Sequence, residues 1–248
     1  MITNANNRVI GLRAVQALLA KGSAGRTIRQ LFFAERGAAR ELIDAAKRAD
    51  ISTCQVTTAA LDELAGGGVH QGVVALVGDY AYVDMHALLE DQRQPLLLLV
   101  DGVTDPQNLG AMMRAALVLG ATGIVLTKDR CAQINATVTR VACGATEYLP
   151  CARVTNLVRA IAELKEAEVW VAGTVESGGQ HPADVDLRRS LAIVLGSEGR
   201  GMRPLVVKQC DFLLTIPALG EIAALNVGTA TGVVLYEVSR QRRSPPGN

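Results

Sequence analysis

The sequence predicts an α/β protein built on a parallel sheet, from three observations. Short runs of Val, Ile and Leu recur along the chain without polar alternation, as in strands buried on both faces. Longer helix-like segments separate these runs, which is the alternation such folds require. The chain has 248 residues and is 49% hydrophobic, and at this length roughly three quarters of the unfolded surface is hidden on folding. One large domain or two smaller ones are both compatible with that length.

Residues 1–78 read as a first, smaller unit. Val9-Ile10-Gly11 leads into a helix-like stretch, Leu12 to Ala20. Ile28 to Phe33 reads as a strand, Ala38 to Ala49 as a helix and Ile51 to Val56 as a second strand. Leu61 to Leu64 is a short helical turn, broken by Gly66-Gly67-Gly68, and Gly72 to Val77 is another strand. Residues 79–94 are more polar, carry Asp84, Glu90, Asp91 and Arg93, and stop at Pro95, so they read as a linker.

Residues 95–243 read as the second unit, and 244–248 (Ser244-Pro245-Pro246-Gly247-Asn248) as a flexible tail. Leu96 to Val100 is its first strand, and a loop then precedes a helix from Asn108 to about Leu119. Further strands are expected at Gly123 to Leu126, Val169 to Ala172, Leu191 to Leu195 and Phe212 to Ile216. Further helices are expected at Val154 to Lys165, Pro204 to Gln209 and Leu225 to Arg240. Ligands of parallel sheets sit beyond the carboxyl ends of the strands. That singles out three loops: Asp101 to Asn108, Gly196 to Met202 and Pro217 to Asn226.

Composition excludes several classes of function. Lys plus Arg number 25 and Asp plus Glu 24, a net charge of +1, so the chain is no polybasic binder. Aromatic residues are 3%, too few for a surface of many stacking rings. No apolar stretch approaches the roughly 18 residues of a membrane span. The amino terminus is polar and lacks a signal-peptide core, so a cytoplasmic protein is expected. The five cysteines are scattered without C-x-x-C spacing, and the three histidines lack ligand spacing, so neither disulfides nor a metal are expected. Also missing are a G-x-G-x-x-G after any strand, a P-loop and a G-x-S-x-G elbow. Charge is nevertheless uneven. Residues 8–48 hold nine basic side chains, among them Arg8, Arg13, Arg26, Arg29 and Arg40, against Glu35, Glu41 and Asp44. Such a module suits a phosphate backbone, although a solvated helix face has the same composition.

What remains is chemistry in the three loops. Pro106 and Asn108 open a helix whose free N–H groups face the first loop, and Arg114 lies six residues on with a guanidinium fork suited to phosphate. The pattern alone leaves open that Asn108 is only a cap and Arg114 only a surface charge. In the second loop, Gly196, Gly199 and Gly201 permit close approach of backbone to ligand, and Glu198 stands at the tip of a buried strand or in a plain tight turn. In the third, an apolar loop leads to Asn226 at the mouth of the last helix, where a cap is the simpler role.

Together the three loops resemble the signature motifs of the SpoU (TrmH-type) family of S-adenosylmethionine-dependent RNA ribose 2′-O-methyltransferases. The match spans Pro95 to Arg243: Asp101 to Arg114 for the first motif, Ile193 to Gly199 for the second, Ile216-Pro217 and Leu225-Asn226-Val227 for the third. Lys128-Asp129-Arg130, Asn135-Ala136-Thr137, Val141 to Ala145, Gly11 to Leu19 and His70 to Ala75 also look like the branch that methylates a guanosine of bacterial large-subunit (23S) ribosomal RNA. The resemblance implies a trefoil-knotted SPOUT-type methyltransferase domain, a ribosomal-protein-like N-terminal domain that binds the RNA substrate, and a homodimer whose active site draws on both chains. It implies S-adenosylmethionine as cofactor and ribosomal RNA as partner. Asn108, Arg114, Glu198 and Asn226 match the family's catalytic residues, and Thr174, Gly196, Gly199, Ile216, Pro217 and Leu225 its cofactor contacts. The family usually has Ser where this chain has Ala224, and commonly Ser where it has Gly228. The first change removes a hydroxyl expected near the active site. An RNA-binding relative with weakened activity, a transfer-RNA enzyme and a small-molecule methyltransferase are the other readings.

Overall fold

The structure is a computed structural model, and it describes residues 7–21, 26–34, 40–90, 93–221 and 224–243. The expected tail at 244–248, Ile222 and Ala223 of the third loop, and the start of the helix expected from Ala38 lie outside the described residues. The chain forms two compact units, residues 1–81 with 134–148 and residues 82–133 with 149–248.

The first unit holds β1 (Arg8–Ile10), α1 (Leu12–Lys21), β2 (Ile28–Ala34), α2 (Arg40–Arg48), β3 (Thr53–Val56), α3 (Thr58–Ala65) and β4 (Val73–Val77). The sheet order is β1-β4-β2-β3; β4 runs antiparallel to both neighbours and β2 parallel to β3. β4 is buried on both faces. Val73, Ala75 and Val77 join a core with Val15, Leu18 and Leu42, while Val74 turns to Ile10 and Leu61, as the two-residue period of a strand requires. α3 is longer than the turn expected at Leu61 to Leu64. The Thr57 side chain caps its start by accepting from the Ala60 N–H at 3.2 Å, and Gly66 ends it in the left-handed region.

Two short helices in this unit were not legible, α5 (Ala136–Val141) and α6 (Ala145–Tyr148). They come from a stretch that the sequence groups with the second unit, yet they pack with the first. The buried Arg26 donates to Thr139 Oγ1 at 2.9 Å and lies 4.0 Å from the Glu147 carboxylate. Gly144, at φ +93°, sits against α1, where a Cβ would lie 3.1 Å from that of Ala17.

The second unit holds β5 (Leu96–Asp101), α4 (Pro106–Val118), β6 (Gly123–Thr127), β7 (Cys151–Val154), α7 (Leu157–Glu166), β8 (Trp170–Thr174), β9 (Leu191–Gly196), α8 (Pro204–Val207), β10 (Phe212–Leu214) and α9 (Val227–Arg243). All its strand pairings are parallel, in the order β10-β8-β9-β5-β6-β7. Every residue of β5 is buried, which is why it reads as an unbroken apolar run. β7 was missed: Cys151–Val154 forms a strand, and the helix expected from Val154 begins only at Leu157, where Asn156 caps it. Residues 82–90, expected in the linker, pack into this unit. Val83 bridges Ala152, and Met85 and Leu88 enter the core. Because the strands are parallel, the loops after β5, β8, β9 and β10 leave the sheet at one edge.

Candidate functional site

β5 ends at Asp101, whose buried carboxylate accepts from the Arg203 N–H at 2.8 Å and from Arg203 Nε at 2.6 Å. This clamp ties the end of β5 to the turn after β9. Farther along, the Asp105 side chain accepts from the Gln107 N–H at 2.9 Å and caps α4, with Pro106 as the first helical residue. Asn108 is therefore not the cap that the pattern allowed. It lies in the first turn, with its side chain available to other partners.

After β9 the chain turns sharply. The Gly201 N–H donates to the Ser197 carbonyl at 2.8 Å and the Ser197 N–H to the Gly201 carbonyl at 3.2 Å. Gly199 and Gly201 take the left-handed φ values of 75° and 64°. At Gly196 any side chain would run into the main chain of Gly201 and Met202. The turn lifts Glu198 toward the start of α9.

Asn226 joins the pieces. Its Oδ1 caps α9 by accepting from the Gly228 N–H at 2.9 Å and the Thr229 N–H at 3.4 Å. Its Nδ2 donates to Asn108 Oδ1 at 2.9 Å and to Glu198 Oε1 at 2.6 Å. Glu198 Oε1 also accepts from the Val227 N–H at 3.1 Å, so a carboxylate sits at the positive end of α9. Cap and polar cluster are one arrangement. The structure thus brings together Asn108, Glu198 and Asn226. Arg114 is exposed on α4 and is not a member of this hydrogen-bonded trio.

Beside the trio lies a cleft of about 1060 Å³. Thr174, Gly196, Gly199, Ile216, Pro217 and Leu225 all line it, together with Glu198 and Asn226. Thr174 ends β8 and donates its hydroxyl to the Val194 carbonyl at 3.1 Å. Sequence reasoning missed Glu176 and Ser177 in the loop after β8, and Met202 at the base of the cleft. Their only signal is position, since each follows the end of a buried strand. The Asp101–Arg203 pair was also missed, because its members are 102 positions apart.

Cys131 and Cys210 are poor nucleophiles. Burial pushes the Cys131 thiol up to about 11 and the Cys210 thiol to about 12. Among the described residues no group of three or more His, Cys, Asp or Glu is arranged to hold a metal ion. None of their helices is long and apolar enough to cross a membrane.

Residues 95–236 match the model of the SpoU rRNA Methylase family, and residues 8–83 match the RNA 2′-O ribose methyltransferase substrate-binding model. The chain is 41% identical to the 23S rRNA (guanosine-2′-O-)-methyltransferase RlmB of Photobacterium profundum, over 96% of this chain and 99% of that protein. It is 40% identical to RlmB of Escherichia coli, over 94% and 98%. Its fold is similar to that of the SpoU methyltransferase AviRb from Streptomyces viridochromogenes, solved in complex with AdoMet, at a TM-score of 0.81 and 24% identity over 96% of this chain and 91% of that one. With one family model over more than half of its length and near-full-length relatives at this identity, the chain belongs to the SpoU rRNA methylase family.

Proposed function

We propose that this protein transfers a methyl group from S-adenosylmethionine to the ribose 2′-hydroxyl of a guanosine in 23S ribosomal RNA. The observation that carries this is the convergence of Asn108, Glu198 and Asn226, drawn from three separate loops, at the mouth of one cleft. Near-full-length relatives named for this reaction supply its substrate.

The cleft fits the cofactor. Apolar side chains such as Val175, Leu214, Ile216 and Leu225 line it beside polar ones, and the turn at Gly196 is closed to any Cβ. The main-chain N–H groups of Ile216, Ala218 and Leu219 make no hydrogen bond among the described residues, which leaves donors for a neutral heterocycle. Glu176 and Glu198 put two carboxylates on the same cleft against one cation, Arg200, a balance that suits a positively charged ligand. The volume also suits a ligand of nucleoside size.

Bound there, S-adenosylmethionine supplies an electrophilic methyl on a sulfonium. The protein's task is to hold the weakly acidic 2′-hydroxyl in line and to let its proton leave. Arg114 is assigned the phosphate clamp. A guanidinium keeps its charge at neutral pH, so it serves better as a bidentate anion holder than as a base. Asn108, Glu198 and Asn226 fix the mouth of the cleft against which the ribose is placed. Positioning of this kind supplies several kcal/mol of a barrier, with ~7 kcal/mol within reach of well-oriented groups. Arg114→Ala should abolish methyl transfer and leave cofactor affinity within about twofold, because the guanidinium is assigned to the RNA phosphate and not to the cofactor. Wild-type turnover in that variant on unmethylated ribosomal RNA contradicts the assignment.

The finer organisation belongs to the same proposal. The first unit delivers the RNA, in the manner of a ribosomal-protein-like domain. Exposed Arg13, Arg29, Arg40, Lys47 and Arg48 support this, as does the substrate-binding model on residues 8–83. The second unit carries a trefoil knot. In support, α9 follows edge strand β10 yet lies along α4, which follows β5 three places across the sheet. The protein works in the cytoplasm, without a metal, as a homodimer. Val118 and Tyr236 support the dimer: on neighbouring helices α4 and α9 they are 75% and 55% exposed. Light scattering should give twice the 26.1 kDa chain mass, and a single-chain mass contradicts the dimer.

A further inference from the structure

We propose that the loop after β6, residues Lys128 to Gln133, is an RNA-phosphate contact of the methyl-transfer unit, with Lys128 and Arg130 as its cations. The inference rests on the RNA reading above and adds a contact outside residues 8–83, where the substrate-binding model lies.

Position comes first. β6 runs parallel to β5, with Leu126 beside Val100, so the loops after both strands leave the same edge of the sheet. The Ala132 N–H donates to the Val103 carbonyl at 2.8 Å and ties this loop to the one that leads to Asn108. Lys128 and Arg130 thus stand on the rim that carries the catalytic trio.

The loop is also built rather than slack. Gln133 Nε2 donates to the carbonyls of Thr127 and Cys131 at 3.0 Å each and reaches that of Lys128 at 3.4 Å. Thr127 Oγ1 donates to the Asp129 carbonyl at 2.7 Å, and the Lys128 N–H to the Val154 carbonyl at 2.8 Å. Within the loop that these bonds brace, Arg130 takes φ +58°, a region that residues other than glycine rarely adopt.

The cations are unused by the fold. Lys128 and Arg130 are exposed, and neither joins an ion pair among the described residues. By contrast Arg159, Arg188, Arg189, Arg203 and Arg240 each meet a carboxylate. Two cations on a pre-held loop fit RNA phosphates, one as a planar fork and one as a point charge. Asp129 between them is the loop's one carboxylate and opposes the same contact.

Signs of opposite direction test this in the full-length protein with unmethylated 23S ribosomal RNA as the probe. Arg130→Gly suits the left-handed backbone while removing the charge, so misfolding does not explain a loss. It and Lys128→Gln should each weaken RNA binding about fivefold or more and flatten the slope of log affinity against log salt by about one. Asp129→Asn should tighten binding, and cofactor affinity should stay at the wild-type value in all three. Unchanged affinity and slope in Arg130→Gly overturn the proposal, and so does weakening in Asp129→Asn to match the others. A wild-type protein that does not bind ribosomal RNA overturns the functional reading itself, and is recognised before any variant is measured.

Discussion

Asn226 shows how a single residue caps a helix and joins the candidate site with different atoms. Its oxygen caps α9 while its amide nitrogen holds Asn108 and Glu198. The sequence presents these roles as alternatives; the amide group satisfies both at once because its oxygen accepts and its nitrogen carries two hydrogens. Two substitutions separate the roles. Asn226→Ala should cost about 1 kcal/mol from the lost cap and lower methyl transfer ten- to a hundred-fold, roughly the worth of a hydrogen bond to a charged group. Asn226→Asp keeps the cap but sets a carboxylate against Glu198 in place of the donor, so transfer should fall at least as far as in Asn226→Ala although the cap is kept. Equal activity in Asn226→Asp and wild type contradicts a role for the amide nitrogen. Gly228 explains one departure from the family pattern. A Cβ there would lie 2.9 Å from that of Ala111 on α4, so serine does not fit without a shift of the helices. The structure offers no comparable account of Ala224, which lines the cleft without a hydroxyl.

At the scale of elements, legibility followed length and locality. The long apolar runs of β5 and β9 and the amphipathic α7 declare themselves, and so do the loops after the strands, because each motif is contiguous. β7, α5 and α6 have only four, six and four residues, too few for a periodicity to register. α5 and α6 pack on the first unit with help from Arg26, 113 positions before its partner Thr139. No local pattern encodes a buried pair of that separation. The same contact gives a pH dependence. Burial pushes the Glu147 carboxyl above its ordinary 4.5, outweighing the Arg26 charge that pulls it down. The folded protein therefore keeps that proton to higher pH than the unfolded chain does. Stability contributed by this group falls as pH rises from 4.5 through the raised folded value and is level beyond it. Glu147→Gln has no proton to lose and should flatten this fall. Urea midpoints between about pH 4 and pH 7 check it, and equal slopes in both proteins contradict it.

For the whole molecule, a net charge of +1 and 3% aromatic residues suggest little affinity for RNA. That impression holds only for the average. The exposed cations of the first unit and those at Lys128 and Arg130, which join no ion pair among the described residues, are local, and ribose and phosphate require amide and guanidinium groups rather than rings. Membership of the SpoU family and the convergent trio then point to one reaction, with a product that is chemically distinctive. A methyl on the ribose 2′-oxygen removes the hydroxyl that attacks the neighbouring phosphate, so the following linkage resists alkali. The most direct test is incubation of the protein with S-adenosylmethionine and unmethylated 23S ribosomal RNA, followed by an alkaline cleavage ladder. One new gap in the ladder, 3′ to a guanosine and missing with Arg114→Ala, is the predicted result. An unbroken ladder, or a methyl found on a base, contradicts the account.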